Sequence, residues 1–238
     1  RRTRPCASIR RHPVDMSNLL MNTPNPLHSP APDMPLYEAC VETLEQAVAA
    51  ERAGAGRIEL CARLDLDGIT PDQPLIAAVM AAVHIPVHVM VRPRGGNFVY
   101  SAAELAQMQA DIALCQRCGV AGVVLGVLTP EGQPDLAALQ PLLAAAAPLR
   151  VVFHKAIDAT PDPLASVRLL APLPGLSGIL SSGGQATAEA GAAVLRQMVT
   201  AAPALQIIAA GRITTANRDA IQALTGCQAL HGKRIVGD

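Results

Sequence analysis

The sequence predicts an α/β protein folded as a (β/α)8 TIM-type barrel, and three observations carry that prediction. From Leu36 onward, short β-branched runs alternate with alanine-rich stretches whose apolar residues fall at helical spacing. The runs start 21, 30, 35, 28, 28, 28 and 23 residues apart, a recurrence that fits repeated right-handed βαβ units and a parallel sheet. No G-x-G-x-x-G follows the first run, where Tyr37-Glu-Ala-Cys-Val-Glu-Thr stands instead, and there is no P-loop. A doubly wound nucleotide-binding sheet would want the first of these.

In chain order, the predicted strands are Leu36–Val41, Arg57–Ala62, Val87–Arg92, Gly122–Leu128, Arg150–Ala156, Gly178–Ser182, Gln206–Ala210 and Ala229–Lys233. The predicted helices between them are Leu44–Ala53, Leu75–Val83, Ala102–Cys118, Leu136–Ala146, Pro163–Leu170, Ala186–Ala201 and Thr215–Leu224. Few residues follow the eighth strand, so the last helix of the pattern is expected to be missing, with truncation or cover by the N-terminal tail as the alternatives.

Residues 35–238 are thus read as a single barrel domain. Residues 1–34 are a different material. They hold Arg1, Arg2, Arg4, Arg10 and Arg11 against Asp15 and Asp33, are dense in proline, and show neither helical nor strand period. We read them as a disordered or mis-assigned N-terminal extension, with Met16 or Met34 as the alternative start. Their arginine-rich, acid-poor composition also fits an organelle transit peptide.

Composition excludes several partners. The net charge is zero and aromatic residues make up 2% of the chain, so neither a basic face nor a base-stacking platform for nucleic acid is expected. No apolar run reaches the roughly 18–20 residues of a membrane span. The six cysteines lack a dense disulfide spacing, which points to a reducing cytoplasm.

Barrel enzymes place their chemistry at the C-terminal ends of strands. The first strand offers Glu38 and Cys40, and the second Glu59 and Cys61. Period two puts each pair on one face, so two carboxylates and two thiols are expected inside the barrel. A buried Glu needs a partner, and Arg92 and Arg94 on the next strand are expected to supply it. The alternative is a polar barrel plug of Glu–Arg pairs with no chemistry. The stretch VHVMVRPRGGNFVYS delivers Arg92 and Arg94 into a glycine-rich loop, the design of an anion site. The fifth strand offers His154, Lys155 and Asp158. The sixth ends in Ser181, Ser182, Gly183 and Gly184, the seventh in Gly211 and Arg212, and the eighth carries His231. Glycines after the late strands suit phosphate gripping by backbone N–H groups, and are also common at any strand-to-helix turn.

Other signals are weaker. Cys115-Gln-Arg-Cys118 lies within a predicted helix without a second ligand pair, unlike a zinc or thioredoxin motif. Cys6 and Cys227 read as bystanders, His84 as a surface residue, His88 as structural near the barrel bottom, and His12 and His28 as parts of the tail.

The segments RIELCARLDLDGITP, RPRGGNFVYS, FHKAID and LSSGG together resemble the CutC copper-homeostasis family, over roughly Leu36 to His231. The resemblance implies a (β/α)8 barrel, a cytoplasmic location, a homodimer and a link to copper handling. It implies that Cys40 and Cys61 match the family's Cu(I)-binding cysteines, and soft thiolates suit that ion. Two places depart from the family pattern. Asp67-Gly68-Ile69-Thr70-Pro71 keeps one glycine of a usual pair, and Gly232-Lys233-Arg234 replaces small polar residues after His231.

Three functions fit these residues. The first is a CutC-like copper homeostasis protein holding Cu(I) on Cys40 and Cys61. The second is an enzyme on a small anionic metabolite, phosphorylated ones included. There, Arg92, Arg94, Ser182, Gly183, Gly211 and His231 would bind the anion, while His154, Asp158, Glu38 and Glu59 would do acid–base work. The third is a non-catalytic binding module.

Overall fold

The computed structural model describes residues 34–237, so the reading of residues 1–34 lies outside the described residues, apart from Met34. Eight parallel strands close into a barrel in sequence order. They are β1 (Leu36–Val41), β2 (Arg57–Leu60), β3 (Val87–Met90), β4 (Gly122–Leu125), β5 (Arg150–Phe153), β6 (Leu176–Ser181), β7 (Gln206–Ala209) and β8 (Ala229–Gly232). Seven α-helices pack outside: α1 (Leu44–Arg52), α2 (Gln73–Ala82), α3 (Ala102–Arg117), α4 (Leu136–Ala146), α5 (Pro163–Leu170), α6 (Ala192–Ala201) and α7 (Arg218–Thr225). Among the described residues no helix follows β8, and no helix is long and apolar enough to cross a membrane.

The helices start where the sequence places caps. Thr43, Asp72, Asp135 and Asp162 each accept a backbone N–H of the first turn of α1, α2, α4 and α5. Ser101 and Glu104 form a reciprocal capping box on α3. Two apolar cores result. The larger lies between strands and helices. The smaller fills the barrel interior with Cys40, Cys61, Met90, Val124, Val152, Leu180, Ile208 and Ala229, contributed by different strands. That arrangement is the layered filling of a parallel barrel.

Most strands stop sooner than the sequence suggests, because their last residues leave the ladder to build the mouth. Arg92, expected at the end of β3, bonds through its backbone to Thr70 instead: its N–H donates to Thr70 Oγ1 at 2.9 Å and its carbonyl accepts from Thr70 N at 2.9 Å. Helix α6 begins at Ala192 rather than Ala186. The preceding turn is tied to the β7 loop, where Ala188 N–H donates to the Gly211 carbonyl at 3.0 Å. Two glycines of the β4 region make room for imidazoles. A Cβ on Gly122 would sit 2.7 Å from His88 Nε2, and one on Gly126 would sit 2.6 Å from His154 Nδ1. Side chains at these positions would push both rings aside.

Candidate functional site

The register of β1 builds one wall of the barrel mouth. Cys40 lies opposite Glu59, and Glu38 lies opposite both Arg57 on β2 and His231 on β8. Glu38 accepts from Arg57 Nε, and its other oxygen is 2.8 Å from His231 Nδ1. Arg57 also donates to Gln206 Oε1 at 2.9 Å. The far ring nitrogen of His231, Nε2, lies 3.5 Å from Glu59 Oε2, and Cys61 Sγ lies 3.6 Å from that same oxygen. Ligand atoms of Cys40, Glu59 and His231 all fall within 4.8 Å of one another. Arg57 was not singled out in the sequence. The period-two argument that paired Glu59 with Cys61 places Arg57 on the same face, and applying it one step earlier finds the residue.

These groups set each other's charge. A bond from the neighbouring Cys61 thiol holds Cys40 well below the ordinary thiol range, against burial and with help from His231. The same bond, burial and Glu59 push Cys61 up. Burial raises the Glu59 carboxyl well above the carboxylate range, despite the nearby His231. Burial also opposes a charged His231, but Glu59, Cys40 and Glu38 outweigh it and raise that imidazole. For Glu38, burial is overcome by the His231 bond and by Arg57, which lower its pKa to about 2. The wall therefore favours the charged forms of Glu38 and His231 and the thiolate of Cys40, and the protonated forms of Glu59 and Cys61. A thiolate and an imidazole suit a soft or borderline metal, and a carboxylate on the other ring nitrogen is the usual way to orient a ligating histidine.

The opposite wall comes from β3, β5 and β6. The arginines do not pair with Glu38 or Glu59, as the sequence led us to expect; closer partners occupy all four. Arg92 is buried and donates to the carbonyls of Leu66, Gly68 and Gly96 at 2.8–3.0 Å. Arg94 donates to Glu104 at 2.6 Å and to the carbonyls of Gly95, Asn97 and Val99. It thus braces the loop, over the ring of Tyr100. Asp158 fills the glycine turn after β6. It accepts from Ser181 Oγ, from Ser182 N and Oγ, and from Gly184 N, at 2.6–3.1 Å. Lys155 Nζ lies 3.3 Å from the same carboxylate. Gly183 N–H donates to Ser181 Oγ at 2.9 Å, so a side chain of the protein occupies the nest that the sequence offered to an anion.

His154 is the exception on this wall. Its Nδ1 accepts from Ala156 N–H at 3.2 Å, and burial together with the Arg92 charge lowers its pKa to about 3. His88, deeper in the barrel and also buried, is lowered to about 4 by burial and by Arg57.

The two walls enclose a cavity of about 340 Å³, lined by Cys40, Glu59, Cys61 and His231 on one side and by Arg92, Phe98, His154 and Lys155 on the other. A second cavity of about 650 Å³ adjoins it under Gly211, Arg212, Lys233 and Arg234. The structure thus brings Cys40, Cys61, Glu59, His231, Arg92 and His154 around one space. Glu38 stands behind His231, Gly211 lines the adjoining cavity, and Arg94, Asp158, Ser182 and Gly183 line neither. Cys115, Cys118 and Cys227 also stay outside the two cavities.

Comparison with known proteins bears on this geometry. Residues 35–236 match the model of the CutC family. The mouse copper homeostasis protein cutC homolog is 41% identical over 197 residues, covering 82% of this chain and 72% of the mouse protein. The family protein CutC of Xanthomonas campestris is 40% identical over 195 residues, covering 82% of this chain and 81% of its own. A crystal structure of a copper homeostasis protein CutC from Streptococcus agalactiae superposes with a TM-score of 0.81 at 34% identity, covering 85% of this chain and all of that one.

Proposed function

The chain belongs to the CutC family, and from that premise we propose that it is a copper homeostasis protein that binds Cu(I) through Cys40 and Cys61 at the barrel mouth. One observation carries the reading. Cys40, Glu59 and His231 present ligand atoms within 4.8 Å of one another at the cavity, with the Cys61 thiol beside them, 3.6 Å from Glu59, and His231 oriented by Glu38. Two soft sulfur donors on adjacent strands suit a monovalent soft cation, which would take the place of their protons. His231 offers a third donor through Nε2. We further propose a cytoplasmic homodimer with no nucleic-acid or membrane partner. The family resemblance and the near-neutral, aromatic-poor sequence support this.

The test is an anaerobic Cu(I) titration in competition with a chromophoric chelator. Wild type should hold one equivalent, and the Cys40→Ser/Cys61→Ser variant should lose it. Equal retention by both would remove the thiols from the account.

A second reading, an enzyme or a non-catalytic module taking a small anion, draws on the cavity itself. A space of about 340 Å³ exceeds what a metal ion needs and sits at the lower end of small-molecule sites. His154, Glu59 and Glu38 remain its candidate acid–base groups. Asp158 is its weakest, because its oxygens are already bonded.

A further inference from the structure

The geometry points to a carboxylate-binding subsite on the wall facing the thiols, where Arg92 and His154 receive the acid group of a small organic acid. The inference rests on the second reading above for its anion, and on no reaction.

His154 is 3% exposed and its Nε2 has no hydrogen-bond partner. Because Nδ1 accepts the Ala156 N–H, the neutral ring carries its proton on Nε2. The orphaned atom is therefore a donor, and the residue lines the cavity. A buried donor without an acceptor is costly, so it calls for an acceptor from outside the chain.

Arg92 repeats the pattern. It is buried, it lines the same cavity, and its Nε is also unpartnered. The Tyr100 hydroxyl is likewise buried and unpartnered. Its three bonded acceptors are all neutral carbonyls, so no carboxylate among its bonded partners answers the guanidinium charge. Buried charges are normally paired. The two residues flank one ring: the Arg92 guanidinium carbon and the His154 ring centroid each lie 4.9 Å from the centroid of Phe98.

These features define the ligand. Two donors, one of them charged, ask for an anionic acceptor. Two N–H groups match the two oxygens of a carboxylate. A phosphate wants a nest of backbone N–H groups, and Asp158 fills the one after β6. Beside them the lining has an apolar part, Met90, Phe98 and Leu180, and a polar part that includes Asp67, Lys155 and Lys233, so the body of the acid is small, with an apolar portion against the first.

The test uses three probes on the metal-free, reduced protein: isobutyrate, its neutral amide isobutyramide, and inorganic phosphate. The readout is the His154 Nε2–H signal in ¹⁵N-edited NMR, identified by its loss in His154→Phe. Isobutyrate should shift that signal saturably, and the amide should bind at least about tenfold more weakly, since the charge-assisted bond is lost. Isobutyrate binding is read without metal, so the result does not depend on whether the thiols hold copper. An unmoved His154 signal would overturn the inference, and so would equal binding of acid and amide. Binding of phosphate or isobutyrate that Arg212→Ala/Lys233→Ala abolishes, with His154 unmoved, would also overturn it. That last result would leave the broader anion reading standing at the adjoining cavity. Should His154→Phe fail to fold, His154→Gln removes the same ring signal and identifies it, so the test stays decisive.

Discussion

Two walls of one cavity each carry a buried imidazole, and the two are in opposite states. On the β1–β2–β8 wall, His231 sits between Glu38 and Glu59 beside Cys40, and its pKa is raised. On the β3–β5–β6 wall, His154 sits among Phe98, Phe153 and Arg92, and is held neutral. The carboxylates divide in the same way. Asp158 is saturated with donors, whereas Glu59 keeps one oxygen unpartnered. Residue type did not decide these states; the neighbours did. A saturated group is scaffold, and a group with a donor or acceptor left unanswered has chemistry left to do.

The largest test of this contrast is Asp158→Ala. It strips the acceptor from Ser181, Ser182, Gly184 and Lys155 together. We expect a loss of about 3–5 kcal/mol in urea unfolding, with Cu(I) stoichiometry unchanged in the protein that remains folded. A mild loss of stability with loss of copper would invert the assignment of scaffold and site.

The next test is pH. The native pKa values of His154 and His88, about 3 and about 4, lie below the ordinary value of 6.5. Above pH 6.5 both states of the protein leave these rings neutral, and their contribution to stability is complete. Below it the unfolded chain takes up protons that the native rings refuse. Stability then falls by about 1.4 kcal/mol per pH unit for each ring, until the native values are reached. His231, raised in the native state, has the opposite sign: its contribution is present below 6.5 and is lost as pH rises through its native value. Urea midpoints should therefore fall as pH is lowered from 6.5 to 4, and His88→Leu should flatten that slope by one proton. An unchanged slope would mean that the buried rings are not held neutral.

The smallest effect belongs to Arg94→Ala. Its side chain is 39% exposed, so after solvent screening its pair with Glu104 is worth well under about 1 kcal/mol. Isobutyrate and copper binding should both survive the substitution. A large loss of either would return this arginine to the site.

The barrel was legible because β-branched runs and capped, alanine-rich helices alternate with little ambiguity. The period of two also brought Glu38, Cys40, Glu59 and Cys61 to one interior. What the sequence could not reveal was pairing. Arg92 and Arg94 looked like partners for the carboxylates because they stand on the next strand. Yet Arg57 lies directly across from Glu38 in the register, and His231 reaches it only because β8 closes onto β1. Asp158 looked like an acid–base group from its place after a strand, while its bonds to the β6 turn depend on a loop conformation that no spacing encodes.

That closure has a consequence in time. His231 and Glu38 are 193 residues apart in the chain and meet across the seam between the last strand and the first. A ribosome-bound chain that has not yet made β8 can expose Cys40 and Cys61 but cannot bring His231 to them. The donor set is therefore complete only once the longest-range pairing of the barrel has formed. The site exists only in a chain whose barrel has closed.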